Sequence, residues 1–150
     1  MKTRFFILSI LFISFSGCTK KVYTSSIYNI PETEEGTIFL RVTGFGNNKQ
    51  EAYNKAVSNA FNTLLFKGVP ESIQSRPMIE NEAKAKEQFA DALSCFNRHD
   101  CFSQFITQNN DNGNTSHVKG GTTTTAEVKI NIRALRTYLE QKQVIRKFGF

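Results

Sequence analysis

The sequence predicts an α+β fold, built from a small antiparallel or mixed sheet with helices packed on one face. Residues 37–44 and 126–133 alternate apolar and polar side chains, which is typical of strands with one face on a core. Residues 52–65 instead repeat apolar pairs every four positions, which is typical of an amphipathic helix. The predicted order is strand, helix, helix, strand, strand and short helix.

The first residues have the layout of a secretory signal. Lys2 and Arg4 precede an apolar run over residues 5–15, and small residues separate this run from Cys18. A membrane-spanning helix needs about 20 apolar residues, so the run is too short to be one. We predict a signal peptide over residues 1–17.

Residues 15–18, Phe-Ser-Gly-Cys, resemble a lipobox, the motif in which a diacylglycerol is attached to the cysteine thiol. Phe15 stands where the motif usually has Leu. The resemblance implies a lasting lipid anchor on Cys18. It also implies a location in the cell envelope. No acidic run directly follows Cys18, which favours the periplasmic side of the membrane. An ordinary cleaved signal or an unprocessed buried cysteine is the alternative.

The stretch after Cys18 is polar and shows no sustained periodicity up to residue 36. We therefore predict a lipidated N-terminus and tether over residues 18–36, followed by a single domain over residues 37–150. The whole chain has a formal net charge of +6 at pH 7. Because an exported protein rarely meets nucleic acid, this charge favours attraction to anionic envelope surfaces and no nucleic-acid partner.

A glycine-rich turn, Gly44-Phe45-Gly46, ends the first predicted strand. Asn48 and Glu51 fit a capping box at the start of the helix that follows. A second interpretation is that the turn at Gly44–Asn48 binds a small anionic or glycan ligand, because amides at a helix N-terminus favour anions. Lys49 stands in place of the third glycine of a dinucleotide fingerprint, and a strand-to-helix turn explains the glycines without a ligand.

Three further elements are predicted downstream. A second helix runs from Ile79 to Phe96, with charged residues on a solvated face. A hairpin then leads from the β-forming stretch Phe102–Thr107, through the turn Asn112-Gly113, to the alternating strand. A short helix follows that strand. The second face of the sheet carries Phe39 and Phe105, and we expect the tail or a partner to cover it in part.

Residues 40–65, LRVTGFGNNKQEAYNKAVSNAFNTLL, resemble the opening of a family of small Gram-negative outer-membrane lipoproteins related to the N-terminal domain of the flagellar assembly protein FlgT. In that family a strand ends in Gly-x-Gly, a polar turn follows, and a helix carries Glu-Ala and then alanines every four residues. The matching residues are Gly44, Gly46, Glu51, Ala52, Ala56 and Ala60. The resemblance implies association with the envelope and no catalytic residues.

Cys95 and Cys101 remain as an even pair once Cys18 is assigned. In an oxidising compartment the simplest expectation is a disulfide between them, and two free buried thiols are the alternative. These cysteines could join His99 and His117 on zinc, but the spacing matches no standard finger or ribbon. A Cys–His nucleophile lacks an evident third group to orient His99. We therefore expect no metal and no cofactor.

The C-terminal residues are basic. They include Arg133, Arg136, Lys142, Arg146 and Lys147, with Glu140 as the single acid among them. This pattern is typical of a solvated helix face. The functional alternative is contact with an envelope protein, with lipid or with an anionic envelope polymer.

These features favour a non-catalytic envelope lipoprotein, a structural or assembly component that contacts the membrane through its N-terminal lipid. A periplasmic binding module for a small anionic or glycan ligand, using the Gly44–Asn48 turn, is the second hypothesis. A thiol- or metal-dependent enzyme is the third, and the sequence contains no standard motif for one.

Overall fold

The structure, a computed structural model, describes residues 25–31, 34–110 and 114–147. The fold is α+β, as the sequence predicts, and the described residues form a five-stranded antiparallel sheet with helices packed on one face. The strands are β1 Ile27–Ile30, β2 Thr37–Gly46, β3 Ile106–Asn110, β4 Thr115–Val118 and β5 Gly121–Asn131. The helices are α1 Lys49–Phe66, α2 Glu82–Gln88, α3 Ala90–Ser94, α4 His99–Phe102 and α5 Ile132–Gln141.

The two long strands, β2 and β5, form the centre of the sheet. They pair from Thr37 opposite Asn131 to Gly46 opposite Thr122. β1 lies along the outer edge of β2, while β4 pairs with the first half of β5 and β3 with its second half. The sheet thus has two ends. We call residues 46–49 and 117–121 the turn end, and residues 36, 37 and 131–133 the helix end.

One face of the sheet is buried under α1. The core-facing apolar residues of the central strands are Ile38, Leu40, Val42, Ala126, Val128 and Ile130. In α1, Ala56 and Ala60 have no exposed surface, since their small side chains let the helix approach the strands closely. The predicted helix over residues 52–65 is confirmed, and its apolar stripe belongs to the core.

An aromatic cluster fills the space beside α1. The ring centroid of Phe61 lies 5.4 Å from that of Phe96, 5.8 Å from that of Phe102 and 6.2 Å from that of Phe105. Tyr138 of α5 completes the cluster, with centroid distances of 5.9 Å to Phe96 and 5.4 Å to Phe105. The cluster joins α1, α5 and the segment that contains the cysteines into one core.

The stretch Phe102–Thr107, predicted as a strand, is helical in its first part. α4 is followed by a 3-10 turn, Ser103–Phe105, and β3 begins only at Ile106. Phe105 therefore lies in the core, and its predicted place on the second sheet face is wrong. Residues three apart point to opposite faces of a strand but to the same side of a helix. A helical turn thus lets Phe102 and Phe105 both pack on Phe61.

The predicted second helix, Ile79–Phe96, is broken into shorter pieces. α2 ends at Gln88, α3 follows it, and a 3-10 turn covers Cys95–Asn97. Phe89, between α2 and α3, has φ −126° and ψ 32°, which is outside the helical region. The break lets both Phe89 and Leu93 pack against the core.

The predicted tether over residues 18–36 contains β1, so the predicted domain boundary at residue 37 is wrong. The Ser25 hydroxyl donates to the Thr43 carbonyl at 3.0 Å, and the Thr43 amide donates to the Ser26 carbonyl at 3.0 Å. The short strand forms because the edge of β2 offers unpaired backbone groups. The predicted signal peptide and Cys18 lie outside the described residues. Of the described helices, none has the length and apolar character needed to cross a membrane.

The chain enters β5 through a tight turn at Lys119-Gly120, where Val118 pairs with Gly121. Gly120 has φ +93°, a conformation that favours glycine. β4 precedes this turn and lies within the connection between the two arms of the predicted hairpin, where no strand was predicted. The predicted turn Asn112-Gly113 lies outside the described residues, while β3 does pair with β5 as the predicted hairpin requires.

The predicted short C-terminal helix is confirmed as α5, which closes the helix end of the sheet. Asn131 is its N-cap residue. The amides of Ile132 and Arg133 donate to the Gly36 carbonyl, at 2.9 and 3.3 Å. These bonds tie the start of α5 to the residue that precedes β2.

Candidate functional site

The glycines of the Gly44–Asn48 turn allow β2 and α1 to pack closely. A Cβ at Gly44 would lie 2.2 Å from the Ala52 carbonyl oxygen and 2.4 Å from the Ala56 nitrogen. A Cβ at Gly46 would lie 2.5 Å from the Ala52 nitrogen. Both glycines therefore face the helix backbone, and their role is to let strand and helix touch.

The N-terminus of α1 is occupied by the side chains of the chain itself. The Glu51 amide donates to Asn48 Oδ1 at 2.9 Å, so the predicted capping interaction is present. The Glu51 carboxylate accepts from the Asn47 amide at 3.0 Å and from Asn47 Nδ2 at 2.8 Å. An anion approaching this turn would meet the carboxylate of Glu51. The geometry therefore does not favour the anion-binding hypothesis for Gly44–Asn48.

Cys95 and Cys101 form a disulfide, the pairing that the sequence favoured, with a Cα–Cα distance of 5.2 Å. Cys95 is buried and Cys101 is half-buried. By the chain-entropy estimate, closing so short a loop stabilises a fold by about 2 kcal/mol. The disulfide fixes the segment between α3 and α4 against the aromatic cluster.

His99 lies within the disulfide loop and is exposed. Its ring centroid is 5.4 Å from that of Phe102 and 6.4 Å from that of Tyr53, so its neighbours include aromatic rings. His117 is on β4, where its Nδ1 is 3.3 Å from the Thr122 hydroxyl. Within residues 25–31, 34–110 and 114–147, no three His, Cys, Asp or Glu side chains are grouped to hold a metal ion.

A polar cleft of about 290 Å³ lies beside His99, and the sequence does not predict it. Its walls are Lys49, Gln50, Tyr53, His99 and Asn109. Only the fold brings these residues together, because they come from α1, α4 and β3. The one available signal was Tyr53, a residue with a polar tip inside an apolar stripe. The cleft volume is at the lower limit of ordinary ligand pockets, which is about 300 Å³.

The predicted basic contact residues on and after α5 have different surroundings. Arg133 is exposed at the helix end of the sheet. Arg136 Nη2 donates to Gln74 Oε1 at 3.4 Å. Lys142 Nζ lies 5.9 Å from the ring centroid of Tyr138. Their charged groups therefore lie on different parts of the surface.

The remaining basic residues, Arg146 and Lys147, are exposed beyond α5. Lys142 also lines a cleft of about 460 Å³ together with Glu87 and Asp91. These two carboxylates offset the positive charge there. The fold therefore does not favour the alternative in which these basic residues form one contact surface.

The sheet face opposite α1 carries no helix in the part of the chain that the structure describes, and we call it the open face. It comprises Tyr28, Ile30, Phe39, Arg41, Thr43, Phe45, Thr123, Thr125, Glu127 and Lys129. Phe39 lies on it, as the sequence predicts. Tyr28 is 63 % exposed and projects from the edge strand beside Arg41.

The charged groups of the open face are paired. Arg41 donates to Glu127 Oε1 from both Nε and Nη2, at 3.0 and 2.7 Å. Lys129 donates to Glu34 at 3.1 Å and lies 6.0 Å from the ring centroid of Phe39. Because these charges neutralise one another, the face presents aromatic and hydroxyl groups rather than a strong net charge. Such a composition suits contact with a protein surface.

Comparison with models of protein families, with curated proteins and with solved structures finds no match to this chain. The resemblance of residues 40–65 to the lipoprotein family therefore stays a prediction.

Proposed function

We propose that this chain is an exported lipoprotein, held on the outer membrane by lipid on Cys18, whose α+β domain is a non-catalytic interaction module. The observation that carries the proposal is the Cys95–Cys101 disulfide. Disulfides persist in secreted and periplasmic proteins and are rare in the reducing cytosol. The disulfide therefore supports the secretory interpretation of residues 1–17.

The N-terminal sequence supports both the secretory interpretation and the lipid anchor. A charged start and an apolar run lead to the Phe-Ser-Gly-Cys motif at the distance usual for a lipoprotein signal. The likeness of residues 40–65 to the family of small outer-membrane lipoproteins supports the same location. We propose membership of that family on these residues.

The open face supports the part of the proposal that concerns interaction. Tyr28 and Ile73 are the large apolar residues most exposed among those the structure describes, and Tyr28 lies on this face. Tyrosine and phenylalanine are enriched at protein interfaces, where a rigid ring buries much area at low entropic cost. The partner class that fits best is therefore another envelope protein rather than an anionic polymer.

Replacing Cys18 with Ala should release the protein from the membrane, because the acceptor thiol for the lipid is lost. The chain that keeps Cys18 should be found in the membrane fraction. Its mature N-terminus should carry a diacylglycerol, and the protein should incorporate labelled palmitate. The matched control is the Cys95→Ala/Cys101→Ala double variant, which keeps Cys18 and should remain lipidated. Mass spectrometry showing an unmodified Cys18 in the mature protein would disprove the anchor.

Replacing Tyr28 with Ser should weaken capture of the partner by the lipidated protein. We expect recovery of cross-linked partner from membranes to fall about tenfold, as for loss of about 1.4 kcal/mol at an aromatic anchor. Ile73→Ser is the matched control, since Ile73 is 67 % exposed, compared with 63 % for Tyr28, but lies off the open face. Equal recovery with the two variants would exclude the open face as the contact surface.

A further inference from the structure

We propose that the partner of the open face is a second copy of this chain, and that the two copies pack sheet against sheet about a two-fold axis. The axis runs along the strands, between β2 and β5. This inference rests on the proposed function, which makes the open face a contact surface but does not identify what binds there. The order of the side chains on the two central strands carries it.

The central strands place chemically matched side chains opposite each other on the open face. Arg41 is opposite Glu127 in the register of β2 and β5, and the two side chains form an ion pair at 2.7 Å. One step toward the turn end, Thr43 is opposite Thr125, and their hydroxyl oxygens lie 3.1 Å apart. In both pairs the group on β2 binds the group on β5 favourably.

The next pair toward the helix end has the same character. Phe39 is opposite Lys129, whose Nζ lies 6.0 Å from the ring centroid of Phe39. A lysine ammonium group over an aromatic ring is attracted to it. Three successive levels of the open face therefore each carry two groups that attract each other, one on β2 and one on β5.

A two-fold axis along the strands turns this pairing into a contact between copies. Rotation about such an axis lays β2 of one copy over β5 of the other and keeps each residue at its own level. Arg41 then faces Glu127 of the second copy, and Thr43 faces Thr125. An axis across the strands would instead lay β2 over β2, which contains no acidic residue to receive Arg41. Sheets that pack face to face are about 10 Å apart, a gap that these side chains can fill.

The charges of the open face favour a second copy over an anionic surface. Arg41 and Lys129 are balanced by Glu127 and Glu34, so two such faces meet without net repulsion. The whole chain carries a formal charge of +6, but charges more than about 8 Å apart are largely screened at physiological salt. The local neutrality of the face therefore decides whether two copies can approach there.

The size of the open face fits a reversible dimer. β2 has ten residues, which corresponds to about 33 Å, and four strands side by side are about 19 Å wide. The face therefore covers roughly 600 Å² in each copy, or about 1,200 Å² in the pair, which is the lower limit for a specific interface. Tyr28, which is 63 % exposed, would lie over β3 of the second copy and bury its ring. Lipid on Cys18 would hold both copies in one membrane, so a modest affinity suffices.

Charge reversal at the central ion pair tests for a second copy directly. Arg41→Glu gives the face two carboxylates at this level, and Glu127→Arg gives it two guanidinium groups. Copies of either variant should repel one another, whereas a copy of each should attract. The two side chains are 56 % and 30 % exposed, and an exposed ion pair contributes little to stability, so both variants should fold.

Photocross-linking in membranes measures the contact. Each full lipidated chain carries p-benzoylphenylalanine in place of Tyr28, which keeps an aromatic ring there. Copies with two different epitope tags are expressed together, so a cross-linked dimer is captured through one tag and detected through the other. We expect about tenfold less dimer for either charge variant alone than for the unaltered face, and recovery to within about twofold when the two variants are combined.

The photoprobe at Ile73 is the matched control, since Ile73 is 67 % exposed and lies off the open face. It should give little dimer. If a charge variant does not fold, as judged by circular dichroism, the cross-linked peptide still tests the packing. Mass spectrometry should assign the peptide joined to position 28 to β3 or β5 of the second copy.

The outcomes distinguish this proposal from the proposed function. A cross-link from position 28 to a different envelope protein, without dimer, would overturn the second copy as partner and leave the open face as a contact surface. A cross-link within one chain would show that the chain covers its own face, and would overturn both. Equal dimer from positions 28 and 73, no dimer at all, or no recovery when the charge variants are combined would overturn the two-fold packing.

Discussion

Truncating Phe61 to Ala should destabilise the fold by about 4 kcal/mol, the usual cost of removing a fully buried ring. Phe61 has no exposed surface, and it stacks on Phe96 and Phe102 within the aromatic cluster. Its loss removes the ring that joins α1 to the segment containing the disulfide. The cavity cannot close easily, because the neighbouring rings are also held by Tyr138 and by the sheet.

Urea unfolding of the mature domain, followed by circular dichroism, measures this loss. Ile73→Ala is the control, since an exposed side chain of this kind should change the free energy of unfolding by less than about 0.5 kcal/mol. A loss below about 2 kcal/mol for Phe61→Ala would mean that the aromatic cluster is not the centre of the core.

Replacing Gly44 with Ala should cost about 3 kcal/mol, as for an overpacked core. The added methyl group would meet the Ala52 carbonyl oxygen at 2.2 Å and the Ala56 nitrogen at 2.4 Å. Both are backbone atoms of α1, so a change of side-chain rotamer cannot relieve the clash. The helix must move away from β2, and the packing of its alanines is then lost.

Gly120→Ala is the matched control for this substitution. A Cβ at Gly120 would have no heavy atom within 4 Å, so only its φ of +93° opposes alanine there. That conformation costs about 1 kcal/mol. Urea unfolding should therefore rank Gly44→Ala well below Gly120→Ala in stability. The reverse order would show that close packing between strand and helix is not what requires Gly44.

The sequence predicts the elements whose side chains are sorted by their own periodicity. In β2 and β5 the alternation records which residues face α1, and in α1 the four-residue repeat records the side that faces the sheet. The capping pair Asn48 and Glu51 is local, so it was also predictable. Each residue in these elements is apolar or polar according to whether it is buried. The alternation and the four-residue repeat can therefore be recognised from the sequence alone.

The elements that the sequence did not predict depend on distant partners. β1 is four residues long, and it pairs because β2 offers a free edge. β4 is polar and pairs with β5, where the hydroxyls of Thr115 and Thr124 lie 3.4 Å apart. Phe105 lies in the core because its ring packs against those of Phe61 and Tyr138. None of these causes lies within the segment concerned.

The candidate site was predictable only in part, for the same reason. Alternation in β2 placed Phe39 on the second sheet face, but the exposure of Tyr28 follows from the pairing of β1. The role of the glycines at Gly44–Asn48 could not be judged without knowing that Ala52 lies against Gly44 and Gly46. The disulfide followed from counting cysteines, because only two remained once Cys18 was assigned.

The pairing of β2 with β5 determines when this protein can fold. The two strands are neighbours in the sheet but are far apart along the sequence, since Thr37 pairs with Asn131 and Gly46 with Thr122. Contacts between such distant residues close large loops and make folding slow. During synthesis β5 is made among the last elements, so α1 has no complete sheet to cover until then. The fold therefore cannot be completed until most of the chain has been made, and the export that we propose would require an unfolded chain at that stage.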